Sequence, residues 1–459
     1  MTAQHYDLDR ITGFLDGVEE AQPGPDGGTE SLAELVAAFA ALPARPGSVV
    51  VIALPNGTRL LRLFFAVHLA GHTPVLLSPS TPPSRVRGIA RHLGAFALVR
   101  AAIRRGDYGE ADVRRLAGSD LAVFPGPHTA HGPGNVILMS SGTSGLATGC
   151  LHGMDALLRN ARRHVASIGQ NAADTVLVSL PAYYSFALVA QVLGSLVAGS
   201  RLVVAGPPFS TANYLSTVRG RRVTVSSLTP ILAKSLVAAG VELPSPLRSL
   251  TVGGQALDGD HVARLLKLNP DLGVYLTYGL TEAGPRVSTL AAHREPPHRH
   301  GSVGLPLDGV EVTVRDNELL VRSDTVYRER VGEPAPSKRG QLVEPGLVAT
   351  GDIGFVDPDG YVVVRGRSTD FTVVRGEKVS MAAVRRAAES LPHVVRAAAR
   401  VLDDDTDTDS ARLELDVYVD DVNSPSEAEV QRQLRSLLTR SERPRVVRVH
   451  PLPAGEFHK

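Results

Sequence analysis

Short β-branched and aliphatic runs alternate with longer helical stretches from about residue 47 of this 459-residue chain. The alternation begins with SVVVIALP, RLLRLFFAVHLAG and PVLLSPS, and continues after residue 149 through TVLVSLP, RLVVAG, RVTVSS and GVYLTYG. The strand-like runs are apolar on both faces, which is typical of interior parallel strands covered by helices. The pattern therefore predicts an α/β fold whose large N-terminal domain contains layered parallel sheets.

The pattern changes beyond residue 300 to short strands and turns, GVEVTVRDNELLVRS and DIGFVDPDGYVVVRGR, which predict a small β-rich layer. The last part combines helical SMAAVRRAAESL and SEAEVQRQLRSLLTR with strand-like VVRAAARVL, LELDVYVD and PRVVRVH. It predicts a small α+β C-terminal domain, long enough to fold semi-independently. We expect the large domain at 1–366 and the small domain at 367–459, with the acidic run at 403–409 as a solvated hairpin loop.

Composition limits the classes of binding partner and the cellular compartment that we expect. The 48 basic residues balance 47 acidic ones and are scattered along the chain, so we expect no nucleic-acid partner. The single cysteine, Cys150, allows no intrachain disulfide and fits a reducing cytosol. The N-terminus does not resemble a secretion signal, and Gln191 and Arg201 interrupt the most apolar window at 188–206. We expect a cytoplasmic protein without a membrane span.

A Ser/Thr/Gly loop, MSSGTSGLATG at 139–149, follows the strand-like NVILM and precedes a helix. Its hydroxyls and freely turning glycines can surround polyphosphate oxygens with backbone N–H groups. Taken alone, the loop is equally compatible with an ordinary flexible connection.

A second motif, YGLTEAG at 278–284, directly follows a buried strand, where a parallel sheet presents its ligand-binding edge. A tyrosine face there can stack on a purine, a threonine can reach a phosphate, and Glu282 can offer a hard oxygen ligand to magnesium. The alternative is that Glu282 only caps a helix.

Two further groups combine carboxylates with guanidinium groups. Thr350-Gly351-Asp352 is the first, and Arg365-Gly366-Arg367 with Asp370 is the second. Such a pair of charges suits the vicinal hydroxyls of a ribose, although each group alone could be a surface turn or a salt bridge.

In this order and spacing, the four groups closely resemble the signature of the adenylate-forming superfamily, which includes acyl-CoA synthetases, luciferases and nonribosomal-peptide adenylation domains. SSGTSG at 140–145 matches its phosphate loop, YGLTE at 278–282 its adenine motif, and Asp352 its ribose-binding aspartate. SLPAYYSFAL at 179–188 resembles its substrate helix and VGGQAL at 252–257 its glycine turn. GRSTDFTVVRGEKV at 366–379 resembles its hinge and the start of a mobile C-terminal domain. The resemblance covers nearly the whole chain.

The resemblance implies that ATP and Mg²⁺ bind between the two domains and that a small carboxylic acid attacks the α-phosphorus to give acyl-AMP and pyrophosphate. It assigns Glu282 and Thr143 to magnesium and phosphate, Asp352 and Arg367 to the ribose, and Tyr278 to adenine. The remaining nucleotide contacts fall on Ser140, Ser141, Gly142, Ser144, Gly145, Gly253, Gly254, Gly279 and Thr281.

The same resemblance places the acyl pocket at Tyr184, Phe186, Val189, Thr229, Gly253 and Gly279, a mainly apolar lining with a few hydroxyls. The C-terminal domain would then rotate so that a thiol meets the acyl-adenylate beside the Gly376 loop. That thiol would come from CoA or from the phosphopantetheine of an acyl carrier protein.

The family also requires a lysine near the C-terminus, and LPAGEFHK places Lys459 at the expected spacing from Leu452. Only five of the 48 basic residues are lysines, so a chance lysine at this position is improbable. A flexible ammonium suits the bridging of carboxylate and α-phosphate. The alternative is a basic tail without a role.

Three departures from the family pattern leave alternatives open. Most relatives carry a lysine in the phosphate loop where this chain has Thr148; Thr369 occupies the hinge; and Tyr183-Tyr184-Ser185 replaces a histidine of the substrate helix. The adenylate could instead pass to an amine, or nitrite could be activated for diazo chemistry. A non-catalytic nucleotide-binding relative and an unrelated α/β phosphotransferase are the other hypotheses.

Overall fold

The structure is a computed structural model that describes residues 6–22, 30–104, 106–140, 148–206, 210–332, 340–367, 371–374, 377–402, 412–419, 425–438 and 442–451. The α-helices of these ranges are α1 (Leu8–Asp16), α2 (Leu32–Ala40), α3 (Thr58–Leu69), α4 (Pro83–His92), α5 (Met154–Ile168), α6 (Gly194–Ala198), α7 (Thr211–Gly220), α8 (Pro230–Ala238), α9 (Gly259–Leu268), α10 (Met381–Glu389) and α11 (Glu427–Leu437). A π-helix (Phe186–Leu193) and 3-10 turns (Thr281–Ala283, Ala292–Arg294, Pro297–Arg299) complete the helical segments.

The strands of the N-terminal part are β1 (Val18–Glu20), β2 (Val49–Ala53), β3 (Thr73–Leu76), β4 (Ala97–Arg100), β5 (Asp112–Leu116), β6 (Ser119–Val123), β7 (Asn135–Ser140), β8 (Thr148–Gly153), β9 (Thr175–Val178), β10 (Arg201–Val204), β11 (Val225–Leu228), β12 (Ser249–Gly253), β13 (Gly273–Gly279), β14 (Arg286–Ala291) and β15 (Leu305–Pro306). The later strands are β16 (Val310–Arg315), β17 (Glu318–Ser323), β18 (Glu329–Val331), β19 (Gln341–Glu344), β20 (Leu347–Val356), β21 (Val362–Arg367), β22 (Phe371–Val374), β23 (Glu377–Ser380), β24 (Val394–Leu402), β25 (Arg412–Val419) and β26 (Val446–Pro451).

Two eight-stranded sheets form the large part of the molecule, which confirms the predicted α/β fold. One has the order β1-β10-β9-β11-β12-β13-β14-β15 and is parallel from β1 to β13. The other has the order β18-β8-β7-β3-β2-β4-β6-β5, with a parallel centre from β7 to β4. The predicted β-rich layer is a five-stranded sheet of β16, β17, β20, β19 and β21.

Burial on both faces explains why the parallel strands consist of continuous apolar runs. In β2, Val50 and Ile52 belong to the main core, which also contains side chains of the first sheet, whereas Val49, Val51 and Ala53 face a second core beneath α4. All five side chains are at most 2% exposed. Alternate side chains of one strand thus pack into two different cores, so a polar residue at any of these positions would be buried.

The predicted helix FALVAQVLGSLVAG is not a single α-helix. A π-helix spans Phe186–Leu193, and α6 begins at Gly194. A π-helix has wider turns than an α-helix, and such segments occur frequently at functional sites. Sequence periodicity does not separate the two forms over so short an apolar run.

The C-terminal part has its own apolar core, formed by side chains between Val379 and Val447. Its strands form a β22–β23 hairpin and a β24-β25-β26 sheet, flanked by α10 and α11, as predicted for an α+β unit. Lys234 of α8 connects it to the large part, because its Nζ lies 3.3 Å from Glu389 Oε2 and 3.6 Å from Asp258 Oδ2. The boundary at 366/367 and the rotation of this unit stay predictions, and the acidic run at 403–409 lies outside the described residues.

None of the helices within the described ranges is both long enough and apolar enough to cross a bilayer.

Asp174 connects the N-terminal ends of three neighbouring parallel strands. It precedes β9 and is 3% exposed. Its carboxylate accepts hydrogen bonds from Arg248 Nε at 2.8 Å, Thr224 Oγ1 at 2.7 Å and the Asn171 N–H at 2.8 Å. Burial raises the pKa of this carboxyl, but the donors, led by Arg248, outweigh that effect and hold the pKa below its usual value.

We expect Asp174→Asn to lower the free energy of unfolding by about 1–3 kcal/mol at pH 7, because it removes a buried charge partner of Arg248. A lowered folded-state pKa contributes stability above the unfolded-state pKa, and this contribution is lost as the pH falls through the folded-state value. Urea unfolding followed by circular dichroism should therefore show a difference from wild type that shrinks in acid. The exposed Asp308→Asn is the control, and a difference independent of pH would contradict the assignment.

Candidate functional site

Gly253 and Gly279, which we call the glycine floor of the candidate site, lie at the carboxyl ends of the adjacent parallel strands β12 and β13. A Cβ on Gly253 would lie 2.3 Å from Thr277 Oγ1, and one on Gly279 would lie 2.0 Å from the Pro285 carbonyl oxygen. Side chains are sterically excluded at both positions. The carboxyl edge of a parallel sheet is where such folds bind ligands, as the sequence predicts.

The predicted adenine and ribose residues lie in direct contact. The Tyr278 hydroxyl donates a hydrogen bond of 2.6 Å to Asp352 Oδ2, and Arg367 Nε lies 3.6 Å from Asp352 Oδ1. Asp352 and Arg367 are register partners in β20 and β21, so one pair of antiparallel strands fixes both charges. The Asp352 N–H also donates to Thr350 Oγ1 at 3.0 Å. A carboxylate and a guanidinium are thereby held together beside a tyrosine ring.

The substrate-helix motif contacts the adenine motif. Ser185 Oγ lies 3.0 Å from Thr281 Oγ1, and the Phe186 Cε1 atom lies 3.3 Å from the position of a Gly253 Cβ. The Tyr184 ring packs 4.7 Å from that of Tyr183, measured between centroids. Burial, followed by the neighbouring Tyr183, raises the pKa of Tyr184 to about 12, so its hydroxyl is neutral at physiological pH.

Two further predicted pocket residues are placed differently. Val189 belongs to the π-helix, and its fully buried side chain packs that helix into the main core. Thr229 precedes α8 as its N-cap, yet its side chain makes no capping hydrogen bond. Its Oγ1 atom is buried and has no partner among the described residues, which leaves it available to a ligand.

Glu282 is buried, at 4% exposure, and is paired with a cation that the sequence analysis did not identify. Arg330 Nη2 lies 3.3 Å from Glu282 Oε1 and donates to the Gly340 carbonyl oxygen at 2.8 Å. Tyr327 contributes a second hydrogen bond to the same carbonyl, at 3.0 Å. Glu282 belongs to a 3-10 turn, and its carboxylate engages Arg330 across the fold.

Glu282 also fits the chemistry of a magnesium site. Magnesium in phosphate-binding sites is held by one or two protein carboxylates and by substrate phosphates. No group of three or more His, Cys, Asp or Glu side chains with metal-binding geometry occurs in the described part of the chain. Glu282 can offer one buried carboxylate to a magnesium ion whose other ligands come mainly from a bound nucleotide.

The ends of the phosphate loop are fixed by β7 and β8. Ser140, the last residue of β7, donates through Oγ to the Thr148 carbonyl oxygen at 3.2 Å. Thr148 begins β8 and is 2% exposed. The other predicted positions of this loop, Ser141, Gly142, Thr143, Ser144 and Gly145, lie outside the described residues, as do Thr369, Asp370, Gly376 and Lys459.

Arg330 places a cation beside the strand that lacks the family's loop lysine. Arg330 in β18 is the register partner of Cys150 in β8. Thr148 is two residues from Cys150, and alternate residues of a strand share a face. Arg330 is 48 residues from Glu282 in sequence. Tertiary contacts such as the pairing of β18 with β8 bring the two together, so no local motif indicates the pair.

This chain is similar to known proteins over most of its length. A family model described as an AMP-binding enzyme matches residues 30–333. The 4-coumarate–CoA ligase 1 of Oryza sativa subsp. japonica is 25% identical over 370 residues, which cover 70% of this chain and 65% of the relative. The chain thus spans somewhat less than two thirds of that relative's length.

Two further similarities extend the comparison. A salicyl-AMP ligase / salicyl-S-ArCP synthetase of Mycobacterium tuberculosis is 28% identical over 405 residues, covering 77% of this chain and 70% of the relative. The structure of o-succinylbenzoate coenzyme A synthetase from Bacillus subtilis in complex with AMP superimposes with a TM-score of 0.79 at 19% identity, covering 98% of this chain and 96% of that one. The latter likeness concerns the fold alone.

Tyr278→Phe should weaken ATP binding about tenfold, because it removes the hydrogen bond that positions the Asp352 carboxylate while it keeps the aromatic ring. Isothermal titration calorimetry would measure the dissociation constant. Tyr361→Phe is a matched control. The Tyr361 hydroxyl also donates to a carboxylate, that of Glu295 at 2.7 Å, which is not part of the candidate site. Equal losses in both variants would contradict a specific role for Tyr278.

Arg330→Gln should raise the dissociation constant of ATP with Mg²⁺ about tenfold, because it removes a cation from the phosphate side of the site. Arg322→Gln provides the control, as Arg322 pairs with the exposed Glu344 at 2.6 Å. If Arg330 only obstructed Glu282, the variant would bind the nucleotide more tightly than wild type. That result would overturn the prediction.

Proposed function

Because the chain belongs to the AMP-binding enzyme family, we propose that it is an ATP-dependent ligase that activates a small carboxylic acid as its acyl-adenylate. Pyrophosphate leaves in this step, and the acyl group then passes to a thiol with release of AMP and of the thiol proton. The contact of Tyr278 and Arg367 with the Asp352 carboxylate carries the proposal. The relatives named as a CoA ligase and as a salicyl-AMP ligase support it.

The nucleotide would be held by charges that are already in position. The Asp352 carboxylate can accept hydrogen bonds from the ribose hydroxyls, and the Arg367 guanidinium can donate to them. The Tyr278 ring would face adenine, and Ser140 with the rest of the phosphate loop would contact the polyphosphate. Bound Mg²⁺ would neutralise phosphate charge beside Glu282 and Thr143. Since the protein charges are preorganised, little reorganisation is needed when the reaction begins.

Lys459 would align the attacking carboxylate oxygen with the α-phosphorus through its ammonium. The acid would lie between the π-helix and the glycine floor, against Phe186 and near Thr229. After adenylation, rotation of the C-terminal unit would admit the thiol. CoA and the phosphopantetheine of an acyl carrier protein are both candidate acceptors, and the name salicyl-S-ArCP synthetase of one relative favours the carrier protein.

A second candidate function, a nucleotide-binding relative without turnover, is favoured by Thr148. This residue replaces the loop lysine and is buried at the start of β8, so it adds no charge near the phosphates. Arg330 on the neighbouring strand favours the catalytic alternative, because it restores a cation on the same side of β8.

Pyrophosphate release in the presence of ATP, Mg²⁺ and a panel of carboxylic acids plus nitrite tests the proposal. We expect release that depends on one acid and falls about a hundredfold in Lys459→Ala, because a charge aligned with the transition state is lost. Lys267→Ala, at an exposed position in the last turn of α9, is the control. ATP binding without release for any member of the panel would favour the non-catalytic relative.

A further inference from the structure

Arg286 is a buried cation for which the described residues provide no anionic partner. It is the first residue of β14 and is 3% exposed. Its Nε and Nη2 atoms are buried and have no hydrogen-bond partner within the described ranges. The guanidinium Cζ lies 4.5 Å from the centroid of the Phe186 ring. Other buried charges of this protein, such as Asp174 and Glu282, have partners of opposite charge.

Burying an unpaired guanidinium group is costly, because its hydration is lost without replacement. The aromatic contact with Phe186 offsets only part of this cost. Burial lowers the pKa of Arg286 to about 9, so the group remains charged at neutral pH. His164 of α5 adds no second positive charge beside Arg286, because burial and then the charge of Arg286 lower its pKa to about 3 and keep it neutral.

The guanidinium lies at the candidate acyl pocket. Arg286 is the register partner of Gly279, which closes the floor of the site. The same Phe186 ring also lies close to Gly253, since its Cε1 atom is 3.3 Å from the position of a Cβ there. Asn160 fixes the Arg286 backbone, since its side chain donates to the carbonyl oxygen and accepts from the N–H, both at 2.9 Å.

We propose that Arg286 binds a second carboxylate of the acid substrate, so that the preferred substrates are dicarboxylic acids. A guanidinium group matches a carboxylate through two parallel N–H···O hydrogen bonds, and the unpartnered Nε and Nη2 atoms form such an edge. The bound carboxylate supplies the missing counter-charge. This inference rests on the proposed function, because it assigns the first carboxylate to adenylation and the second to recognition.

Matched acids that differ only in a second carboxylate test the proposal. The pairs are butyrate with succinate, hexanoate with adipate, and benzoate with isophthalate. We expect wild type to show a kcat/KM for pyrophosphate release at least about tenfold higher with the preferred diacid than with its monoacid. Arg286→Met should abolish or reverse this preference, mainly by raising KM for the diacid. Arg286→Lys should retain part of the preference. Arg163→Met, which removes an arginine paired with Asp324 at 2.6 Å, should keep the wild-type preference.

A binding measurement without ATP separates this inference from the proposed function. The preferred diacid should raise the thermal midpoint of wild type more than its monoacid does, and this difference should vanish in Arg286→Met. If no acid supported pyrophosphate release, the ligase proposal would fail, whereas the midpoints would still decide whether Arg286 binds a carboxylate. Wild type that prefers monoacids in both measurements would overturn the inference.

The stability of the free variant provides an independent check. Replacing an unpaired buried charge by methionine should leave the midpoint of the ligand-free protein unchanged or raise it. A lower midpoint, or a variant that does not fold, would make Arg286 a structural support of Phe186 and would also overturn the inference.

Discussion

The hydrogen bond from Tyr278 to Asp352 is the contact on which the nucleotide site depends, because it joins two sheets that are separate in the fold. Tyr278 lies in β13 of the mainly parallel sheet, whereas Asp352 lies in β20 of the five-stranded sheet. The five-stranded sheet supplies Asp352 and Arg367, and the mainly parallel sheet supplies Tyr278, so neither sheet alone presents all three side chains. The buried charge of Asp352 requires compensation, which Tyr278 provides by a hydrogen bond and Arg367 by an ion pair. Assembly of the site is therefore coupled to packing of the two sheets.

The parts of the fold that follow from local patterning could be predicted from the sequence. β2 is apolar on both faces because it serves two cores, and its sequence VVVIA shows this directly. The meeting of Tyr278 with Asp352 could be anticipated only through resemblance to a known family. The two residues are 74 positions apart, and neither motif contains a local signal of its partner.

Arg330 and Arg286 show why the rest of the site could not be predicted. Basic residues are common in this chain, and a sequence does not reveal which of them become buried. Arg330 is placed by the pairing of β18 with β8, and Arg286 by that of β14 with β13. Both are long-range consequences of strand order. The informative property of each is burial combined with charge, which only the tertiary structure provides.

The two arginines differ in how their charge is compensated. One has an acidic partner within the protein, and the other is the proposed binding group for a ligand. Arg330 is already paired with Glu282 before any nucleotide arrives. Arg286 lies against Phe186 of the candidate acyl pocket, and two of its nitrogen atoms have no partner within the described part of the chain. A fold that pairs Asp174 and Glu282 with arginines can satisfy its buried charges. The cost of Arg286 is therefore better explained by an anion that arrives with the substrate than by a failure of packing.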